Sequence, residues 1–183
     1  MNYAEIKYCD IANGPGVRTT LFVSGCRQRC PGCVNEVTWD FAAGRVFSPE
    51  AADEVVASLE PAYVTGLTVL GGEPLEPENQ AGVLAQLERV RTELPGKTVW
   101  VYTGFTWEQL HSDGCRAHTD LLPRILGLLD VLVDGPFVLA KKDISLRFRG
   151  SANQRIIDVP ASLAAGRVVE WEDLPEFSTH EWS

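Results

Sequence analysis

Ser24-Gly25-Cys26-Arg27-Gln28-Arg29-Cys30-Pro31-Gly32-Cys33-Val34-Asn35 carries three cysteines in the spacing C-x3-C-x2-C. Thiolate sulfur is a soft ligand that suits iron–sulfur chemistry. A cubane iron–sulfur cluster is ordinarily held by four cysteines. Three on one short loop would leave one iron with an open position for a substrate. Gly25, Pro31 and Gly32 would help so short a loop to turn. The same residues admit a structural zinc site completed by a fourth donor, and Cys9, Cys115, His111, His118 and His180 are available. Zinc loops ordinarily come as two C-x2-C pairs, or as one pair with a spaced histidine pair, and neither pattern occurs here. A disulfide framework suits this chain poorly: five cysteines in 183 residues are sparse and odd in number, and no secretory leader opens the sequence.

Outward from this loop the pattern alternates strand with helix. Val17–Val23, rich in β-branched and apolar residues, leads straight into the cysteines. Ser48 and Pro49 read as the N-cap and first position of a helix whose apolar face is Ala52, Val55, Val56 and Leu59. Leu67-Thr68-Val69-Leu70 is a buried-type strand ending in Gly71-Gly72-Glu73-Pro74. Val83, Leu84, Leu87 and Val90 form the next helical stripe, broken at Gly96, and Thr98-Val99-Trp100-Val101-Tyr102 the next strand. Thr106 is placed to cap a short helix through Leu110, residues 111–118 read as a loop, and Leu121, Leu122, Ile125, Leu128 and Leu129 make a further stripe. Val131-Leu132-Val133 is a strand ending at Asp134-Gly135, and two late strands are expected near residues 145–149 and 154–159. Such alternation predicts an α/β fold, a parallel sheet with crossover helices. Sites in such sheets lie at the carboxyl ends of the strands. The cysteine loop, Gly71-Gly72-Glu73-Pro74, Thr103-Gly104 and Asp134-Gly135 each follow a strand and should therefore gather at one rim.

A hydrophobic content of 45% and a charged content of 22% are ordinary for a soluble globular chain of this length, which is most simply one domain. No apolar run approaches the ~20 residues needed to span a membrane. A net charge of −9 argues against nucleic-acid or anionic-membrane partners. Unpaired cysteines suit a reducing cytoplasm. The charge is uneven. Residues 159–183 carry Glu170, Glu172, Asp173, Glu176 and Glu181 against Arg167 alone, and lack a long apolar period. They read as a loosely ordered acidic C-terminal extension behind a domain of residues 1–158, although Trp171, Phe177 and Trp182 are unusual in a purely solvating tail.

Several motifs remain. Glycines at Gly71 and Gly72 let a backbone approach a ligand closely, and the Glu73 carboxylate is a natural acceptor for an ammonium. Arg27 and Arg29 are expected either to tune an anionic cluster, to meet an acidic partner, or simply to be solvated. Asn13-Gly14-Pro15-Gly16-Val17-Arg18 lacks the Gly-Lys-Ser/Thr ending of a phosphate loop. Taken together, C-x3-C-x2-C followed by Gly-Gly-Glu resembles the radical S-adenosylmethionine (SAM) enzymes. With Asn13-Gly14-Pro15-Gly16-x-Arg18, Leu21 to Cys26, Cys30-Pro31-Gly32-Cys33-x-Asn35, Thr38-Trp39, Pro95-Gly96-Lys97, Tyr102-Thr103-Gly104, Val133-Asp134-Gly135-Pro136-Phe137 and Arg149-Gly150-Ser151-x-Asn153-Gln154, the chain is similar to the anaerobic ribonucleoside-triphosphate reductase-activating proteins, from about residue 2 to residue 157.

This resemblance implies a partial β/α barrel of the radical SAM type. It implies a [4Fe-4S] cluster on Cys26, Cys30 and Cys33, and SAM on its open iron, with Gly71, Gly72 and Glu73 binding the methionine amino group. The activity implied is that of a glycyl-radical-enzyme activase. SAM is cleaved to methionine and a 5′-deoxyadenosyl radical, which abstracts hydrogen from a glycine of the anaerobic reductase. A low-potential donor such as flavodoxin or ferredoxin would supply the electron. Strand-end placement adds Tyr102, Thr103 and Asp134 as SAM contacts, and Arg149 as a bidentate donor to the SAM carboxylate. Many radical SAM proteins have an aromatic residue before the third cysteine, where this chain has Gly32; the residue shielding adenine is therefore unassigned. The alternatives are an activase of another glycyl-radical enzyme, a small-molecule radical SAM enzyme, and, from a different class, a zinc-stabilised binding module.

Overall fold

The computed structural model describes residues 1–172; Asp173, Glu176, Phe177, Glu181 and Trp182 of the acidic extension lie outside the described residues. Seven strands form one sheet: β1 (Asn2–Asp10), β2 (Val17–Val23), β3 (Arg45–Val46), β4 (Val64–Gly71), β5 (Thr98–Tyr102), β6 (Val131–Asp134) and β7 (Arg155–Asp158). Their order is β3-β1-β2-β4-β5-β6-β7. The expected parallel sheet exists at its centre, where β2, β4, β5 and β6 run parallel. The sheet as a whole is mixed, because β1, β3 and β7 join it antiparallel. The central strands are buried on both faces, as parallel strands under crossover connections are; β4 and β6 have hardly an exposed residue.

Among the described residues four α-helices lie between these strands, α1 (Pro49–Leu59), α2 (Pro77–Glu93), α3 (Trp107–Leu110) and α4 (Leu122–Leu126), and α5 (Val159–Ala165) follows β7. Their starts follow the expected chemistry. Ser48 accepts a bond from the Ala51 amide at the head of α1, and Thr106 with Gln109 builds a full capping box on α3. The apolar stripes of α1, α2 and α4 pack on one face of the sheet, where Leu59, Leu67, Leu87, Val99, Val101, Ile125 and Leu132 are fully enclosed. Alternation along β5 and β6 sends Trp100, Val131 and Val133 to the other face, where they meet Tyr102, Phe148, Ile156 and Trp171 rather than helices.

Two expectations fail locally. Residues 145–149 form turns, not a strand. The edge of β6 is already taken by β7, and Phe148 sits at φ 57°, outside strand geometry. The alternation of Ile144, Leu146 and Phe148 serves a cavity wall instead. The acidic extension, expected to be loose, is anchored as far as it is described: α5 is capped by Asp158, and the Trp171 ring stands edge-on to Trp100 at 5.1 Å. Among the described residues no helix is long and apolar enough to cross a membrane.

The Asn-Gly-Pro-Gly-x-Arg motif proves to be the floor of the helix-free face. Arg18 has no exposed surface. Its guanidinium donates to Thr68 Oγ1 at 2.7 Å, Thr98 Oγ1 at 2.9 Å and the Leu67 carbonyl at 2.7 Å, and lies 5.5 Å from the Trp100 ring centre. Burial pulls its pKa down to about 10. Thr68 in turn donates to the Asn13 carbonyl, and Asp10 accepts from Thr20, Asn13 and the Ala12 amide. Replacing Arg18 with Met keeps bulk but removes the donor to Thr68 Oγ1, Thr98 Oγ1 and the Leu67 carbonyl. R18M is expected to lower the unfolding free energy by about 2 kcal/mol or more, read as a lower urea midpoint. An unchanged midpoint would show that apolar bulk alone suffices there.

Candidate active site

The parallel register aligns the strand ends. Val23 of β2 stands opposite Gly71 of β4, and Tyr102 of β5 opposite Val133 of β6. The segments after these strands therefore meet at one rim, as the sequence predicts. They surround a cavity of about 470 Å³, within the range of small-molecule sites. Cys26, Cys30 and Cys33 line it on one side, Gly71, Gly72 and Glu73 on another, and Tyr102, Thr103 and Gly104 beside them. The wall is completed by Gly135, Phe137, Phe148, Arg149 and Gln154.

The cysteine loop is fixed by main-chain bonds. The Gly25 amide donates to the Thr38 carbonyl at 2.7 Å and the Cys26 amide to the Trp39 carbonyl at 3.0 Å. The Gly71-Gly72-Glu73 turn is joined to it. The Gly72 amide donates to the Val23 carbonyl at 2.7 Å, and the Glu73 amide to the Gly25 carbonyl at 2.8 Å. Both glycines are required: Gly71 has φ +109° with a Cβ position 2.7 Å from the Val23 carbonyl oxygen, and a Cβ on Gly72 would lie 2.6 Å from that of Gly25. Asn79, buried on α2, ties the two segments again by donating to the carbonyls of Ser24 and Glu73.

All three loop cysteines are free. Cys26 is buried and the other two half-buried, and they stand around the cavity rather than closing on a single-ion position. Burial pushes the Cys26 thiol up to about 11, with the nearby Glu73 charge adding to it, while the Arg29 and Gln28 amides oppose. Burial likewise raises Cys30. Binding a cationic iron centre would reverse this, because a metal ligand must be the thiolate and loading releases the proton. The donor set of three neighbouring free thiols on a pinned loop at a cavity wall fits a cluster with one open iron.

Glu73 is 1% exposed. Its carboxylate accepts from the Leu75 amide at 3.0 Å, the Thr103 hydroxyl at 2.8 Å and the Gly104 amide at 2.7 Å. Burial lifts its pKa to about 7, although all three donors pull it down. Its first task in this structure is thus to hold Thr103-Gly104 against the cysteine loop. Of the other expected contacts, Tyr102 lines the cavity and donates its hydroxyl to the Phe148 carbonyl at 2.8 Å, and Arg149 lines it while donating to the Gln154 carbonyl at 2.8 Å. Asp134 is not brought in. It is 1% exposed, receives the Trp107 amide and the Arg155 guanidinium, and so anchors α3 to β7 behind the wall. It stands at the expected strand end, but Arg155 occupies its carboxylate, a pairing with no local signal in the sequence.

Arg27 stays exposed, with 47% of its side-chain surface open, yet it is paired within the chain. It lies 4.5 Å from the Phe41 ring centre and pairs with Glu78 and Glu76. Glu76 is the residue that sequence reasoning missed. It has no exposed surface, yet accepts from the Arg27 amide at 2.9 Å, the Arg27 guanidinium at 2.9 Å and the Arg116 guanidinium at 3.1 Å. It therefore clamps the residue after Cys26 to α2 and to the loop before α4. A carboxylate two residues past Gly-Gly-Glu-Pro carries no local signal of that role, because Arg116 is 40 positions away. E76Q removes the charge between two guanidinium groups. It is expected to lower unfolding free energy by about 1–3 kcal/mol and to lower the iron retained after chelator challenge. Unchanged iron retention would show that the loop holds its shape without this clamp.

The chain matches a family model described as "4Fe-4S single cluster domain" over residues 12–157. It is 41% identical over 156 residues to the anaerobic ribonucleoside-triphosphate reductase-activating protein of Salmonella typhi, covering 84% of this chain and 96% of that protein. To the protein of the same name from Vibrio cholerae it is 44% identical over 158 residues, covering 85% and 97%. To the one from Enterobacteria phage T4 it is 35% identical over 158 residues, covering 85% and 93%. A cavity lined by three free thiols and a Gly-Gly-Glu turn and a match over nearly the whole of these relatives lead to one conclusion: the chain belongs to the anaerobic ribonucleoside-triphosphate reductase-activating protein family, with its 4Fe-4S single cluster domain.

Proposed function

We propose that this protein is a radical SAM activase that installs the glycyl radical on an anaerobic ribonucleoside-triphosphate reductase. The observation that carries the reading is the meeting of Cys26, Cys30 and Cys33 with Gly71, Gly72 and Glu73 on one cavity. When bound, the [4Fe-4S] cluster supplies the electron that cleaves SAM to methionine and the 5′-deoxyadenosyl radical, which takes hydrogen from a glycine of the reductase. The cofactors carry this chemistry, and the chain orients them and excludes water. In this reading Cys26, Cys30 and Cys33 hold the cluster. The bare backbone of Gly71 and Gly72 lets the SAM amino group approach, and Glu73 keeps that turn rigid while offering its remaining acceptor capacity. Tyr102, Thr103 and Arg149 line the SAM side, Arg149 toward the carboxylate. Phe137 and Phe148, both in the wall, are among the apolar surfaces available to adenine.

In the same reading the sheet is the partial β/α barrel of the superfamily. Its support is the parallel run β2-β4-β5-β6, covered by α1, α2 and α4 on one face with the cavity at the strand ends. The catalytic unit is residues 1–158, a low-potential protein such as flavodoxin or ferredoxin is the electron donor, and the cytoplasm is the compartment. Exposed apolar side chains around the mouth, Val34 at 83% and Ile144 at 94%, favour a protein substrate over a small molecule enclosed in the barrel. The relatives' shared name favours this reductase over other glycyl-radical enzymes.

Anaerobic incubation with the reductase, SAM and a reductant is expected to give the glycyl radical doublet in electron paramagnetic resonance. C26A, C30A and C33A are each expected to abolish it. SAM cleavage without a radical on the reductase would overturn the choice of substrate. A signal that survives loss of any of the three cysteines would overturn the site.

A further inference from the structure

The loop between β6 and β7 is tied to itself from both ends. The Asn153 side chain donates to the Pro136 carbonyl at 2.8 Å, and the Gln154 side chain to the Gly135 carbonyl at 3.1 Å. The Val138 amide donates to the hydroxyl of the fully buried Ser151 at 3.2 Å, and the Ala152 amide to the Lys141 carbonyl at 2.9 Å. The Phe137 ring lies on Gly150, where a Cβ would come within 3.1 Å of it. Gly135-Pro136-Phe137 and Gly150-Ser151-x-Asn153-Gln154 thus make one folded unit, and it includes a turn of 3-10 helix at Leu139–Lys141.

This unit faces the half of the cysteine loop that the Gly25 and Cys26 amides do not hold. In that half the Cys33 amide donates to the Cys30 carbonyl at 3.1 Å, the Asn35 amide to Cys33 Sγ at 3.4 Å and the Thr38 amide to the Asn35 carbonyl at 2.9 Å. All three bonds stay within the loop. Support from outside comes at Gly32. Its φ is +73°, and a Cβ placed on it would meet Leu139 Cδ1 at 3.0 Å and Cδ2 at 3.4 Å. The Leu139 side chain therefore occupies the space that a side chain before the third cysteine would fill. The Phe137 amide bonds the Cys30 thiol. One segment thus touches the loop at Cys30 and at Gly32, next to Cys33. Leu139 is 54% exposed, so this contact lies at the surface and not in the core.

We propose that the β6–β7 segment is a clasp on the far half of the cysteine loop, with Leu139 as a positioning residue that holds Cys30 and Cys33 in place and keeps water from them. The near half is fixed through Gly25 and Cys26, and the clasp fixes the rest. An apolar side chain beside a metal site limits the access of solvent to it. The cover that Gly32 lacks is supplied from a distant part of the chain. The clasp itself does not depend on the cluster. Its consequence for the cluster rests on the reading of Cys26, Cys30 and Cys33 as the ligands.

Cysteine alkylation of the full, metal-free chain tests the clasp without any activity. Each cysteine is followed separately by mass spectrometry after a pulse of iodoacetamide. L139S is expected to label Cys30 and Cys33 about fivefold faster, the scale of losing a half-buried apolar contact. Cys26 and Cys115 are expected to label at unchanged rates, and L139M to behave like the original chain. N153A frees the Pro136 carbonyl without touching the cysteine loop, and is expected to act in the same selective way. In anaerobically reconstituted protein, L139S is expected to release iron to a chelator faster. It is also expected to shift the cluster midpoint potential to less negative values, because water stabilises the more highly charged reduced cluster. Unchanged labelling in both variants, acceleration that spreads equally to Cys26 and Cys115 in both, or an unchanged potential would each overturn the proposal. Selective labelling in a chain that takes up no iron would uphold the clasp and overturn the cluster reading instead.

Discussion

The main-chain seam between the cysteine loop and the Gly71-Gly72-Glu73 turn is the constraint on which the rest of the site depends. Two amide-to-carbonyl bonds close it, from Gly72 to Val23 and from Glu73 to Gly25. It closes only because β2 and β4 run parallel in a register that ends both strands at the same level. It also closes only because neither glycine carries a Cβ that would meet the opposing carbonyl. The start of the cysteine loop and the Gly-Gly-Glu turn are thus joined through the main chain, the kind of preorganisation that cofactor chemistry needs.

Buried carboxylates extend this unit in two directions. Glu73 reaches across to Thr103 and Gly104 and so fixes the end of β5. Glu76 reaches to Arg27 and Arg116 and so fixes the cysteine loop to α2. The two differ in what surrounds them. Glu73 is held by neutral donors, and burial raises its pKa to about 7. Glu76 is matched by two guanidinium groups. Both are buried, and a carboxylate buried without partners would be costly, so their partners are structural requirements and not incidental contacts.

Much of this was legible in the sequence because the determinants are local. Ser48-Pro49, Thr106, the stripes of α1 and α2 and the apolar runs of β4, β5 and β6 each announce an element by short-range chemistry. Because loops after parallel strands share a rim, Cys26, Cys30, Cys33, Gly71, Gly72, Glu73, Tyr102, Thr103 and Arg149 all come to line one cavity. What was not legible depends on distant partners. The antiparallel β1 is polar and irregular, with Cys9 at φ 51°, and belongs to the sheet only because β2 offers an edge. Residues 145–149 alternate like a strand, but the edge of β6 is taken by β7. Asp134 stands at the right strand end yet is taken by Arg155, and Glu76 becomes a clamp only through Arg116.

The central claim is a three-cysteine cluster site with an open iron for SAM. Its most direct test is iron and acid-labile sulfide per chain in anaerobically purified protein, followed by dithionite and SAM. About four irons and four sulfides are predicted, with 5′-deoxyadenosine and methionine as products. Zinc in place of iron, or an intact cluster that leaves SAM uncleaved, would contradict the claim.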